Sequence, residues 1–228
     1  MDQKIPFTSY DFWAYLSAGF LLLFAADYVA GTALLSRDSW TVVQSVVAVS
    51  CAYAVGQVVA SASASVFERG LVGTILGYPR NVLFGKPTAW RVVRLLLPGY
   101  FKGLPNQTTK LALDKAKLVG IDGPGEALFW AAFANARATP VVMGRLDNFL
   151  NLYGFCRNIA LVSFLNGAML YWSYRWGKGQ DVNLYWSWGS AALGVGMTLR
   201  YLKFYRHYAV EVFTSYAHSK EAAATEKK

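Results

Sequence analysis

Residues 40–67 read WTVVQSVVAVSCAYAVGQVVASASASVF, twenty-eight positions without one charged side chain. A helix rises about 1.5 Å per residue, and a bilayer's hydrocarbon core is about 30 Å thick, so this stretch is long enough to cross. Inside a bilayer no water satisfies the backbone, which leaves the helix as the only open choice. Three more stretches share the character. Residues 12–35 carry one charge, Asp27. Residues 153–174 carry Arg157 near their start. Residues 184–199 are shorter, but their pattern runs on past Arg200. The expected fold is an all-α integral membrane protein, with four transmembrane helices as two hairpins and a helical cytoplasmic insertion between helices 2 and 3. The domain layout follows: an N-terminal hairpin 1–67, a basic cytoplasmic helical insertion 68–152, a C-terminal hairpin with a cytoplasmic helix extension 153–218, and a disordered tail expected over 219–228.

Composition agrees. Hydrophobic residues make up 55% of the chain and charged residues 15%, against about 25% charged in soluble domains. This excludes bulk disorder and argues against an ordinary soluble globule. The net charge is +9. In an apolar chain, such an excess points first to membrane topology and to anionic headgroups as a partner. The basic residues of the insertion are dispersed, so no nucleic-acid partner is expected.

Charge also sets direction. The insertion holds eleven Lys/Arg against five acids, and the segment from Arg200 onward holds six Lys/Arg. The short links around Ser36–Ser39 and Arg175–Asn183 hold three together. Basic residues stay inside. The expectation is therefore a multi-pass protein with both termini cytoplasmic, in a bacterial inner membrane, whose first span is an uncleaved anchor. Tyr171, Trp172, Trp176, Tyr185, Trp186 and Trp188 crowd the last link, as amphipathic rings do at a headgroup layer. The sequon at Asn106 falls in the region expected to be cytoplasmic and should stay unused.

Helix packing has its own signal. Ala48, Ala52, Gly56, Ala60 and Ala64 recur every four residues, a small-residue stripe that lets backbones approach closely. It reads either as packing against the chain's other helices or as an interface between copies. Asp27, Gln44 and Gln57 are the candidate pore or ion-binding residues. Asp27 has a plainer reading as well, a carboxylate reaching the interface or pairing with Arg37. Counting outward from Gly179 places Asn158 level with Arg200, Asn151 with His207, and Asp147 with Glu211. Arg145 and Arg157 lie near enough to reach Glu211 and Tyr201. These residues form an expected polar ladder between the last two helices.

Within the insertion, six prolines chop the chain into short pieces. Trp90–Leu97 is an interfacial-helix candidate, with Trp90, Val93 and Leu97 on one side and Arg91 and Arg94 on another. A short basic helix is expected over 109–118 and an apolar one to about Ala138. From Val141 the pattern runs unbroken into the third span.

The search for chemistry is negative. No zinc, nucleophile-elbow, CxxC or phosphate-loop motif occurs, and Cys51 and Cys156 suggest no disulfide. No metal, no cofactor and no catalytic residue is expected. The leading expectation is a self-associating channel or membrane-perturbing effector regulated by its cytoplasmic helices. The alternatives are a structural or scaffold subunit of a membrane complex with a protein partner, and a lipid-modifying enzyme using Asp147, Asn151, Arg157, Asn158 and His207.

Overall fold

A computed structural model describes residues 11–87, 89–177 and 180–219; the first ten residues, Thr88, the loop centre at Lys178–Gly179 and residues 220–228 lie outside it. All regular structure among the described residues is helical. A π-helical turn, Asp11–Leu16, leads into α1 (Ser17–Ala30). α2 (Val42–Ser63) passes without a break into a second π-helical stretch, Ala64–Leu76. Four shorter helices follow: α3 (Pro79–Val82), α4 (Arg91–Leu96), α5 (Asn106–Leu118) and α6 (Glu126–Arg137). Two long ones close the chain, α7 (Pro140–Trp176) and α8 (Asp181–His218). The helical pattern from Val141 through the expected third span is thus one helix, and the expected fourth span is continuous with its extension.

The link between α1 and α2 differs from the expected tight turn at 36–39. α1 stops at Ala30 because Gly31 takes the left-handed conformation, φ 68°, which glycine adopts without penalty. The Asp27 carboxylate then accepts from the backbone N–H groups of Leu34 and Leu35 at 2.9 and 3.0 Å and from the Thr32 hydroxyl. Those bonds fold 31–35 into a loop, so Leu34 and Leu35 are not helical despite their apolar character.

Among the described residues one helical run, Val42–Val82, is long and apolar enough to cross a membrane; Ala14–Ala30 is apolar but shorter. α7 and α8 have the length. They fall short in hydropathy, since Arg157, Asn158, Asn166 and many Trp and Tyr rings dilute their aliphatic residues.

The chain forms two compact units. Among the described residues, the first comprises 11–67 and 151–201 and the second 68–150 and 202–219. The core of the first unit gathers Ala18, Val59, Ile159 and Val162 from α1, α2 and α7. That of the second is built on alanine stripes. Thr108, Ala112 and Ala116 are buried on α5, and Leu128, Ala132 and Ala136 on α6, both at i, i+4, i+8. Leu146, Val212, Phe213 and Tyr216 fill against them. The Ala127–Ala134 stretch is therefore a core helix of this unit, with Phe129 packed on Phe213 at 6.0 Å between centroids.

Candidate functional site

The most buried polar chemistry lies in the first unit. Ser63 and Asn158 are fully buried, and Arg157 is only 8% exposed. The Ser63 hydroxyl lies 2.6 Å from Asn158 Oδ1 and 2.9 Å from the Ala60 carbonyl. It also accepts from Arg157 Nε at 3.0 Å. Arg157 Nη2 reaches the Ala60 carbonyl at 3.4 Å, and Asn158 Nδ2 donates to the Ala14 carbonyl at 3.1 Å. Three helical segments meet there: the π-helical turn Asp11–Leu16, α2 and α7. Ser63 stands one residue before the last member of the small stripe, and α2 carries no larger polar side chain at that level.

The stripe itself packs within the chain. A Cβ on Gly56 would fall on the Tyr15 carbonyl, and one on Gly19 would fall on the Ala52 carbonyl. Tyr15–Gly19 on the first helix and Ala52–Gly56 on α2 are thus reciprocal i, i+4 pairs, each glycine facing the other helix's carbonyl. Ala52 and Ala60 are buried with Gly56, while Ala48 and Ala64 are half-buried. A second close approach joins α7 and α8: Ser187 Oγ donates to the Gly167 carbonyl at 2.8 Å, and the Phe164 ring lies against Gly194. The spacing of Ser187, Ala191 and Gly194 carried that signal in the sequence.

The three pore candidates are all engaged locally. Asp27 holds the 31–35 loop. Gln44 is half of a capping box: Thr41 Oγ1 accepts from Gln44 N at 3.3 Å, and Gln44 Oε1 accepts from Thr41 N at 3.0 Å. Gln57 donates to the Tyr53 hydroxyl one turn back, at 2.9 Å. Thr41→Ala should therefore lower the stability of the purified protein by about 1 kcal/mol, read as a small fall in its thermal midpoint. An unchanged midpoint would mean the cap contributes nothing.

The ladder residues are placed as follows. In the second unit, Arg145 pairs with Glu211 at 2.7 Å. The His207 ring tilts over Phe149 at 6.0 Å, and its Nδ1 lies 2.6 Å from the Lys203 carbonyl. Burial pushes the Tyr208 phenol above its usual range; nearby Asp147 adds to this and Arg137 opposes it. In the first unit, Cys156 meets the Arg200 side chain, and Tyr153 packs on Tyr201 at 6.3 Å. Asn151 is half-buried. The pairing register thus sits about two residues from the count made outward from Gly179: Phe149 occupies the level expected for Asn151, and Cys156 that expected for Asn158. Two residues turn a helix by about 200°, so Arg157 and Asn158 point to α2. Contact between small residues, here Gly167 against Ser187, fixes register more firmly than the midpoint of a loop.

One further network was not apparent from spacing. Asn183 is buried, accepts from the Tyr28 hydroxyl at 2.8 Å and donates to Ser173 Oγ at 3.2 Å. Among the described residues, no cluster of His, Cys, Asp and Glu could hold a metal ion. The chain matches no family model, no curated protein and no solved structure.

Proposed function

We propose that this chain is a four-span integral membrane protein, with its termini and basic second unit on the cytoplasmic side, that acts as a non-catalytic assembly subunit of a membrane complex. The surface of α2 carries the membrane reading. Val42 and Val58 are 81% and 70% exposed, and Val43, Val46 and Val47 share that exposure. The exposed hydroxyls between these valines turn back on their own helix: Ser45 to the Thr41 carbonyl at 3.2 Å, Ser50 to Val46 at 2.8 Å, Ser61 to Gln57 at 3.2 Å and Ser65 to Ser61 at 3.3 Å. A surface of bare valine and self-satisfied hydroxyl suits a medium that offers no hydrogen bonds. Exposed Trp172, Trp176, Tyr185, Trp186 and Trp188 supply rings for one headgroup layer.

Assembly is favoured over conduction because Asp27, Gln44 and Gln57 hold their own chain's turns and helices, and because the small-residue stripe packs internally. Catalysis at Arg157 and Asn158 is disfavoured by their burial against Ser63, Ala60 and Ala14.

Cys51, exposed in the middle of α2, is a native probe. In isolated membranes it should resist a membrane-impermeant maleimide and react after detergent denaturation. Rapid labelling of intact membranes would reject the span. For the role, reconstituted vesicles should stay tight to ions while a stoichiometric partner co-purifies. Ion flux through vesicles of the pure protein would overturn the assembly reading in favour of a channel.

A further inference from the structure

α4 is a surface element with an unusual face. None of its residues is buried. Trp90 is 83% exposed and Leu95 74% exposed, with Val92 and Leu96 similarly bare. Val92, Leu95 and Leu96 stand at i, i+3, i+4 and form one stripe. Arg91 lies about 90° round the helix from the centre of that stripe, and Arg94 farther round on the same side. Val93 and Leu97, on another side of the helix, are half-buried. The sequence had placed Trp90 on one side with Val93 and Leu97; the structure separates them, because two of the three turn inward.

The stretch of chain that carries this helix has charge of one sign, and one of its cations, Arg80, is paired with Glu126. From Arg69 to Leu113 the chain carries seven Lys/Arg and no Asp or Glu, and Lys86, Arg91 and Arg94 are all exposed near the stripe. Any partner must therefore present apolar depth beneath a negative surface. An anionic bilayer does so. Trp rings favour the headgroup level, and arginines lay their stems along apolar surface while the guanidinium stays with phosphate. Six residues span about 9 Å, too short to cross but suited to lying in the interface plane.

We infer that α4 is an interfacial anchor that inserts Val92, Leu95, Leu96 and the Trp90 ring into the headgroup layer of an anionic membrane, with Lys86, Arg91 and Arg94 on lipid phosphates. The inference rests on the membrane reading above, and its test separates the two. An environment-sensitive fluorophore is placed at Leu95→Cys, and separately at Val47→Cys, in full-length protein carrying Cys51→Ala and Cys156→Ala. Each is reconstituted in vesicles of phosphatidylcholine alone or with 30% phosphatidylglycerol. The probe at 95 should shift to the blue and be quenched by shallow lipid-borne quenchers only with phosphatidylglycerol. Each of Lys86→Gln, Arg91→Gln and Arg94→Gln should weaken that insertion about fivefold. The probe at 47 should be buried in lipid in both mixtures. If 47 is buried while 95 stays in water, or 95 inserts equally in both mixtures, the anchor is overturned and the spans stand. If 47 is in water, the membrane reading itself falls. Should the substituted background misfold, hydrogen exchange of 90–97 in the unaltered protein gives the same decision: slowing by phosphatidylglycerol supports the anchor, and its absence overturns it.

Discussion

Gly56→Ala is expected to drive α1 and α2 apart and to lower the thermal midpoint of the purified protein by about 10 °C. The new methyl would occupy the position of the Tyr15 carbonyl. A backbone oxygen cannot rotate away as a side chain can, so the helices must separate or turn. Separation also breaks up the packing of Ala18 and Val59. Overpacking of this kind costs about 3 kcal/mol, and each kcal/mol moves the midpoint of a chain of this size by about 2–4 °C. Gly19→Ala should behave alike, because its methyl meets the Ala52 carbonyl. The double variant should lose less than the two losses added, since one separation of the helices relieves both clashes. Gly189→Ala and Gly196→Ala supply the contrast: nothing lies within 4 Å of the added carbon in either case, and alanine is the better helix former by about 1 kcal/mol. Losses at 19 and 56 with none at 189 and 196 would tie the stripe to packing inside one chain. A change in oligomeric state at an unchanged midpoint would assign it to an interface between copies instead.

This contrast also marks how far the sequence could be read. Spacing alone marked Ala48 to Ala64 as a small-residue face, because a period of four survives any tertiary arrangement; the close approach falls at Ala52 and Gly56. It did not show which helix approaches. Gly19 sits among bulky Phe and Leu residues and has no stripe of its own, so its partnership with Ala52 emerges only in the fold. The presence of α5 to α8 was legible because proline and glycine punctuate them and no strand pattern competes, but α5 starts at Asn106, three residues before the expected start at 109. The end of α1 was not. Leu34 and Leu35 prolong the apolar run, and nothing in hydropathy reveals that Asp27 caps the backbone N–H groups of that loop. Gln44 misled for a similar reason: an amide in an apolar run reads as a polar site until Thr41, three residues earlier, is seen as its capping partner. The ladder depended on register, and a displacement of two residues moved Asn158 from α8 to Ser63.

Ser63 is where that rerouting has its largest consequence. Its hydroxyl is fully buried and touches three groups: the Ala60 carbonyl, Asn158 Oδ1 and Arg157 Nε. Ser63→Ala should cost about 3 kcal/mol, because it takes one oxygen from a buried guanidinium and a donor from a buried amide at once, and each loss alone is worth about 1–3 kcal/mol. Ser61→Ala, two residues away, removes a hydroxyl that bonds only its own helix at the Gln57 carbonyl and should change stability by less than about 0.5 kcal/mol. The source of the cost can be separated. Adding Arg157→Met to Ser63→Ala should recover part of the loss, since an apolar chain replaces a buried charge deprived of an acceptor. The same Arg157→Met change in the native background should be close to neutral. A Ser63→Ala protein as stable as Ser61→Ala would mean that the three groups find other partners, and that α2 and α7 are held together at this level by packing alone.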